Sequence, residues 1–186
     1  MCSAYATDVL IYITGAPGTG KSTLCAELVA RGYDARDADF GISGWFRRTD
    51  GVEVPSPGSS QRRTPEWYAA YQWGYSVERT AEFAAEIGDG VGFLCGCGSN
   101  EDKIWSLIDK PFYLDIDEPT LRERLDARPS NHYGKTEYEL QKTLRAHAEM
   151  GDRDRRFGIE PLDAARPVEE IVDELLDRCR LAKRAA

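Results

Sequence analysis

At 186 residues, with 41% apolar and 30% charged side chains, the chain has the length of about one ~150-residue domain and the composition of an ordered globular protein. Its 32 acidic residues against 24 basic ones, giving a net charge of −8 and a pI near 4.9, exclude the basic footprint of a general nucleic-acid binder. No apolar run approaches the ~18–20 residues of a membrane span, the N-terminal stretch lacks the basic region of a cleaved signal peptide, and five scattered cysteines read as reduced thiols of a cytoplasmic protein.

In chain order, the β-branched run Val9–Thr14 (VLIYIT) predicts a first strand, followed by a Gly-rich turn. Leu24, Leu28 and Val29 at helical spacing predict a helix over Lys21–Arg31, stopped by Gly32. Tyr33–Ala38 reads as a second strand ending in Asp37-Ala38-Asp39. Phe40 to Thr64, rich in Gly, Pro, Ser and Arg, shows no period. Pro65 then opens what reads as one long helix, about Glu66 to Ile87, with Trp67 and Tyr71 on its core face. Val91–Cys95 (VGFLC) predicts a third strand, Ser99–Asp109 a short helix, Pro111–Ile116 a fourth strand and Pro119–Arg128 a helix. Thr136–Phe157 reads as helical, a short strand follows near Ile159–Leu162, and a helix from Pro167 to Lys183 closes the chain. Strand–helix alternation of this kind implies right-handed crossovers and a parallel sheet of about five strands covered by helices on both faces, a three-layer α/β fold. The whole of 1–186 reads as one domain carrying two inserts, 40–75 and 128–136.

The most specific signal is Gly15-Ala16-Pro17-Gly18-Thr19-Gly20-Lys21-Ser22, which fits G-x-x-x-x-G-K-[ST] and lies between the first strand and the first helix. Glycines there let backbone N–H groups converge as an anion nest, and the helix start at Lys21, Ser22 and Thr23 adds its positive end. The Lys21 ammonium then bridges the outer phosphates of a nucleotide, and the Ser22 hydroxyl meets Mg²⁺. Asp37 and Asp39, two apart on a strand that ends at the carboxyl edge of the sheet, share a face and reach one metal–phosphate assembly, or are simply solvated loop acids. Arg124 and Arg128, four apart on a helix, form a cationic pair or a solvated face. The third strand ends in Cys95 with no carboxylate, and Gly96-Cys97-Gly98 is either a close approach to substrate or a tight turn capped by Ser99.

On GAPGTGKS, the Asp37-x-Asp39 pair and the Arg124-x-x-x-Arg128 pair, the sequence resembles the small P-loop kinases (adenylate, shikimate and gluconate kinase), and most nearly the small bacterial nucleoside-kinase-like AAA-type ATPases. The resemblance implies ATP and Mg²⁺ as cofactors, with Ser22 and Asp37 on the metal. It implies Asp39 on the acceptor hydroxyl as base or orienter, Arg124 stacked on the adenine, and Arg128 on the transferring phosphate. By the same resemblance Gly96 approaches the acceptor, and the Asp163–Pro167 loop, with Ala164, Ala165 and Arg166, wraps the base, unless Pro167 only starts the last helix.

The insert from Phe40 to Thr64 carries Arg47, Arg48, Arg62 and Arg63 against Asp50 and Glu53. Arginines beside aromatics can grip an anionic or planar small molecule, so Trp45, Arg47 and Arg48 are acceptor candidates. The segment Arg122 to Lys135 has four basic residues against two acidic ones, which marks the lid, with His132 and Tyr133 in it. The expected activity is ATP-dependent phosphoryl transfer to a small-molecule acceptor by a monomer or homodimer, with no nucleic-acid or membrane partner. An antibiotic-modifying kinase on the same scaffold, or a nucleotide-dependent switch ATPase with a protein partner, remains open.

Overall fold

The computed structural model describes residues 9–58, 63–128, 133, 134 and 136–181, with backbone only at 152–156. The expected lid residues 129–132 and 135, including His132, and Arg62 of the acceptor insert, lie outside the described residues.

Five strands form a parallel sheet: β1 (Val9–Thr14), β2 (Asp34–Asp37), β6 (Val91–Cys95), β7 (Lys110–Asp115) and β8 (Glu160–Asp163), in the order β2-β6-β1-β7-β8. Alternation along β1 supplies both faces: Ile11 and Ile13 enter one core, Leu10 and Tyr12 the other. The first core is closed by α1 (Lys21–Ala30), α4 (Glu118–Ala127) and α6 (Val168–Arg178) through Leu24, Leu28, Leu121, Leu125, Val172, Leu175 and Leu176. The second is closed by Phe83 of α3 (Val77–Ile87) and by Ile104, between two 3₁₀ turns at Glu101–Lys103 and Trp105–Leu107. Those turns stand where the sequence predicts one short helix. The expected three-layer α/β fold is therefore present, and α5 (Glu137–Arg156) adds Leu144 to the first core, with Leu140 and Met150 packed against it.

The insert at 40–75 differs from expectation. The region without a period contains β3 (Ser43–Arg47) and β4 (Glu53–Val54), and the long helix is interrupted: α2 (Pro65–Ala70) gives way to β5 (Tyr71–Tyr75) before α3 starts. These strands form a second, antiparallel sheet, β4-β3-β5, with Trp45 opposite both Val54 and Trp73. Aromatic side chains suit a pleated surface better than a helix. Gly74 allows the Asn100 side chain to lie against β5, with Oδ1 accepting from Tyr75 N (2.7 Å) and Nδ2 donating to Tyr75 O (3.0 Å). Ser76 then caps α3 by accepting from Arg79 N, which fixes the helix start about three turns later than the sequence pattern implies.

Candidate active site

The turn after β1 is built as an anion nest. Gly15, Gly18 and Gly20 hold φ of 151°, 103° and 108°, the left-handed region that favours glycine. A Cβ at Gly18 would also stand 2.9 Å from Leu121 Cδ1 and 3.0 Å from Leu125 Cδ2. Thr19 Oγ1 donates to Ala16 O (3.0 Å), and Lys21 Nζ donates to Gly15 O (2.7 Å) and Ala16 O (3.0 Å), so the lysine lies along the rim of its own loop. No side chain caps α1, whose N-cap is Gly20. Its first N–H groups are those that a phosphate satisfies.

A cavity of about 1230 Å³ opens over this loop and is lined by Ala16 to Leu24. Pockets for one small ligand are typically ~300–1,000 Å³, so this one has room for two substrates.

Opposite the loop stand three carboxylates. Strand register sets Asp37 level with Cys95 and Cys95 level with Ile13, so the end of β2 lies beside the start of the nest. Asp37 and Asp39 both line the cavity, and Asp39 N donates to Asp37 Oδ1 (3.0 Å). Asp37 Oδ2 is buried with no partner among the described residues. Trp73 Nε1 donates to Asp39 Oδ1 (3.2 Å). Loss of water raises the Asp39 carboxyl above its ordinary value and Asp37 raises it further, against the opposing pull of Lys21, the Trp73 bond and Arg128.

The third carboxylate, Glu101, lies beyond the strand that ends, as the sequence shows, in Cys95. Cys95 is buried at the strand end, but the Gly96-Cys97-Gly98 turn folds the chain back. Glu101 Oε1 thereby accepts from Tyr12 Oη (2.8 Å) and Thr14 Oγ1 (3.1 Å), next to the nest. Neither Glu101 nor Trp73 carries a motif, and only their positions after a strand and on an aromatic strand could have marked them.

The arginines divide by what already holds them. Arg124 Nη1 donates to Thr19 O (3.2 Å) and Nη2 to Ala164 O (2.9 Å), which ties the phosphate loop to the turn after β8. Both bonds use the guanidinium edge. Arg128 closes α4 and lines the cavity, and its buried Nη1 has no partner among the described residues. Arg166 also lines the cavity, but it is ion-paired with Glu170 (3.1 Å) and Glu174 of α6.

On the far side the cavity is walled by Trp45, Tyr68, Trp73 and Tyr133, with Arg63 and Lys142 among them. Three acceptor candidates stand apart from this wall. Arg47 pairs with Asp50 (2.6 Å) on the β3–β4 turn, and Arg48 donates to Tyr68 O (3.2 Å) and Gln72 Oε1 (2.9 Å); neither lines the cavity. Gly96 lies beneath it, where a Cβ would be 2.6 Å from Tyr75 Oη and 2.7 Å from Ala38 Cβ. Its lack of a side chain serves packing. Trp67 and Tyr71 stack on each other (4.9 Å between centroids), with Trp67 edge-on to Trp45 (4.4 Å), as backing to the wall.

A central parallel strand ending in GAPGTGKS, with α1 following its nest and the antiparallel β4-β3-β5 sheet inserted after β2, defines the P-loop fold. A family model described as an AAA domain matches residues 11–145, and the chain belongs to that family. Among solved structures, a sugar kinase from Janibacter sp. matches with a TM-score of 0.55 and 16% identity, covering 95% of this chain and 96% of that one. A shikimate kinase from Bacteroides thetaiotaomicron matches at 0.55 and 17%, covering 93% and 99%. A deoxyadenosine kinase from M. mycoides, with bound dATP, matches at 0.54 and 14%, covering 92% and 99%. These likenesses establish a shared fold. No curated protein matches the chain. Among the described residues, no helix is long and apolar enough to cross a membrane.

Proposed function

We propose that this chain transfers the γ-phosphoryl group of ATP to a hydroxyl of a small-molecule acceptor. One observation carries the reading: a single cavity holds the phosphate nest at one end and, facing it, Asp39 in front of an aromatic wall that a nucleotide on the nest does not need. With Glu101 also lining the cavity, carboxylates alone do not separate transfer from hydrolysis, and the second half of the cavity is what favours transfer.

In the proposed reaction the nest and Lys21 hold the β- and γ-phosphates, and the face of Arg124 lies against the base. The acceptor oxygen attacks the γ-phosphorus, the bond to the β-bridging oxygen breaks, and ADP leaves. Asp39 orients the attacking hydroxyl and takes its proton, and the Arg128 guanidinium offsets charge on the transferring group. Ser22 and the unpartnered Asp37 Oδ2 form an all-oxygen set that suits Mg²⁺, with Glu101 within the same cavity. When bound, that ion supplies charge neutralisation at the phosphates.

The test is an ATP-consumption screen against nucleosides, nucleotides, sugars, sugar acids and aminoglycosides, with the Lys21→Met variant as control. Acceptor-stimulated ADP formation is expected from the native chain and not from the variant. Turnover confined to aminoglycosides would make this an antibiotic-modifying kinase. ATP use that no acceptor stimulates would replace transfer with a nucleotide-dependent switch.

A further inference from the structure

Lys142, on α5, is a cavity cation that the phosphate chemistry leaves unused. It is half-buried, lines the cavity, and holds Nζ 3.8 Å above the Tyr68 ring. Among the described residues it makes no ion pair and no hydrogen bond. Glu139, one turn earlier, is already committed: Oε1 accepts from Tyr68 Oη (2.8 Å) and Arg63 Nε (3.2 Å), and Oε2 from Gly134 N (2.9 Å). One carboxylate therefore faces two cations, and Arg48 adds a third positive charge behind the wall. Loss of water and the fields of Arg48 and Arg63 press Lys142 toward its neutral form, against Glu139. A half-buried ammonium with surplus positive charge around it is stabilised by an anion arriving from the cavity.

The geometry points to an anionic acceptor, a hydroxylated carboxylate or phosphate monoester, whose charged group is received by Lys142 while its hydroxyl meets Asp39. This rests on the phosphotransferase reading above. Position on α5 separates it from the nucleotide: Lys142, Ala146 and Met150 follow at intervals of four along one face, and Met150 packs on the core that contains Ala164 and Ile171. Met150 thus stands at the base side and Lys142 two turns away, at the aromatic wall. Trp45, Tyr68 and Trp73 around it give the body of the acceptor flat apolar surfaces.

The experiment uses matched probes on the full chain: gluconate against glucose, shikimate against its methyl ester, and dAMP against deoxyadenosine. Binding is read without nucleotide by quenching of tryptophan fluorescence, since Trp45 and Trp73 line this wall and Trp67 backs it, and turnover is read with ATP and Mg²⁺. At least one anion should bind and be phosphorylated while its neutral counterpart is disfavoured by about 10- to 100-fold, the worth of a charge-assisted bond. The carboxylate and phosphate arms identify which anion is taken. Lys142→Met should raise the KM for that anion by the same factor, with kcat and the KM for ATP within about threefold, and Lys142→Arg should recover part of the loss. Circular dichroism matching the native chain establishes that each variant is folded. Preference for the neutral probes, no binding of any anion, native anion binding by folded Lys142→Met, or a change in the KM for ATP alone would overturn the assignment. Anion binding lost in Lys142→Met, with no acceptor-stimulated ATP use, would uphold the anion site and reject phosphoryl transfer.

Discussion

The buried contact between Arg63 and Glu139 joins the 40–75 insert to α5, and it makes a measurable prediction that needs no substrate. Glu139 is fully buried and Arg63 is 11% exposed, with the guanidinium over the rings of Trp45 (5.8 Å) and Tyr133 (5.6 Å). Arg63→Met keeps most of the apolar stem but leaves a buried carboxylate with two hydrogen bonds, no ion-pair partner in contact, and only the field of Lys142 as counter-charge. Breaking a buried pair from one side costs about 3–5 kcal/mol. That is a large share of the ~5–15 kcal/mol by which a domain is stable. Glu139→Gln is a gentler perturbation. Its carbonyl can serve Tyr68 and Arg63, but its NH₂ then faces the Gly134 N–H, donor against donor, for about 1–3 kcal/mol. Combining Arg63→Met with Glu139→Leu removes both charges and should restore part of the Arg63→Met loss. Urea unfolding followed by tryptophan fluorescence reads all three variants, because Trp45 and Trp67 report on this neighbourhood. A loss below about 1 kcal/mol for Arg63→Met, the range of exposed ion pairs, would refute the idea that the contact is closed to water and holds the insert in place.

Three further outcomes are expected. Lys21→Met should weaken ATP binding, measured by calorimetry, by at least about 100-fold with little change in the melting curve, since among the described residues the lysine's hydrogen bonds go to its own loop carbonyls. Arg128→Ala should lower kcat by about 10²–10³, with a smaller change in the KM for ATP. Because Asp39 must be ionised to accept a proton and is raised above its ordinary value, kcat/KM should fall on the acid side at a pH above that of a free aspartate. Trp73→Phe, which deletes the hydrogen bond that lowers the Asp39 value, should move that limb to higher pH; an unmoved limb would remove Asp39 as the base.

The sequence made the phosphate side legible and the acceptor side only partly so. GAPGTGKS constrains each position by backbone conformation or by phosphate chemistry, and strand alternation through Val9–Thr14 and Val91–Cys95 follows from burial on two faces, so both can be read without neighbours. Tyr71–Tyr75 could not. Its aromatics satisfy a helical stripe as well as a strand, and the choice depends on pairing with β3 and on Asn100, twenty-five residues away. One signal was present: Asp50-Gly51 between alternating apolar residues marks a hairpin, and Gly51 takes φ 72° there. Glu101 and Lys142 were hidden for a different reason. Their significance lies in what they face across the cavity and in which carboxylates nearby are already engaged, neither of which is a property of spacing along the chain.

The packing of the phosphate nest has a thermodynamic consequence. Gly18 rests on Leu121 and Leu125, Lys21 and Thr19 bond the loop's own carbonyls, and Arg124 clasps Thr19 O from α4. The conformational entropy of residues 15–20 is therefore lost when the chain folds, and none is left to lose when a nucleotide arrives. The heat-capacity change of nucleotide binding should then reflect the apolar surface of the base alone, without a contribution from ordering the loop. Leu121 and Leu125, which do not line the cavity, become determinants of nucleotide affinity: trimming either loosens the nest and moves that entropy back into the binding step.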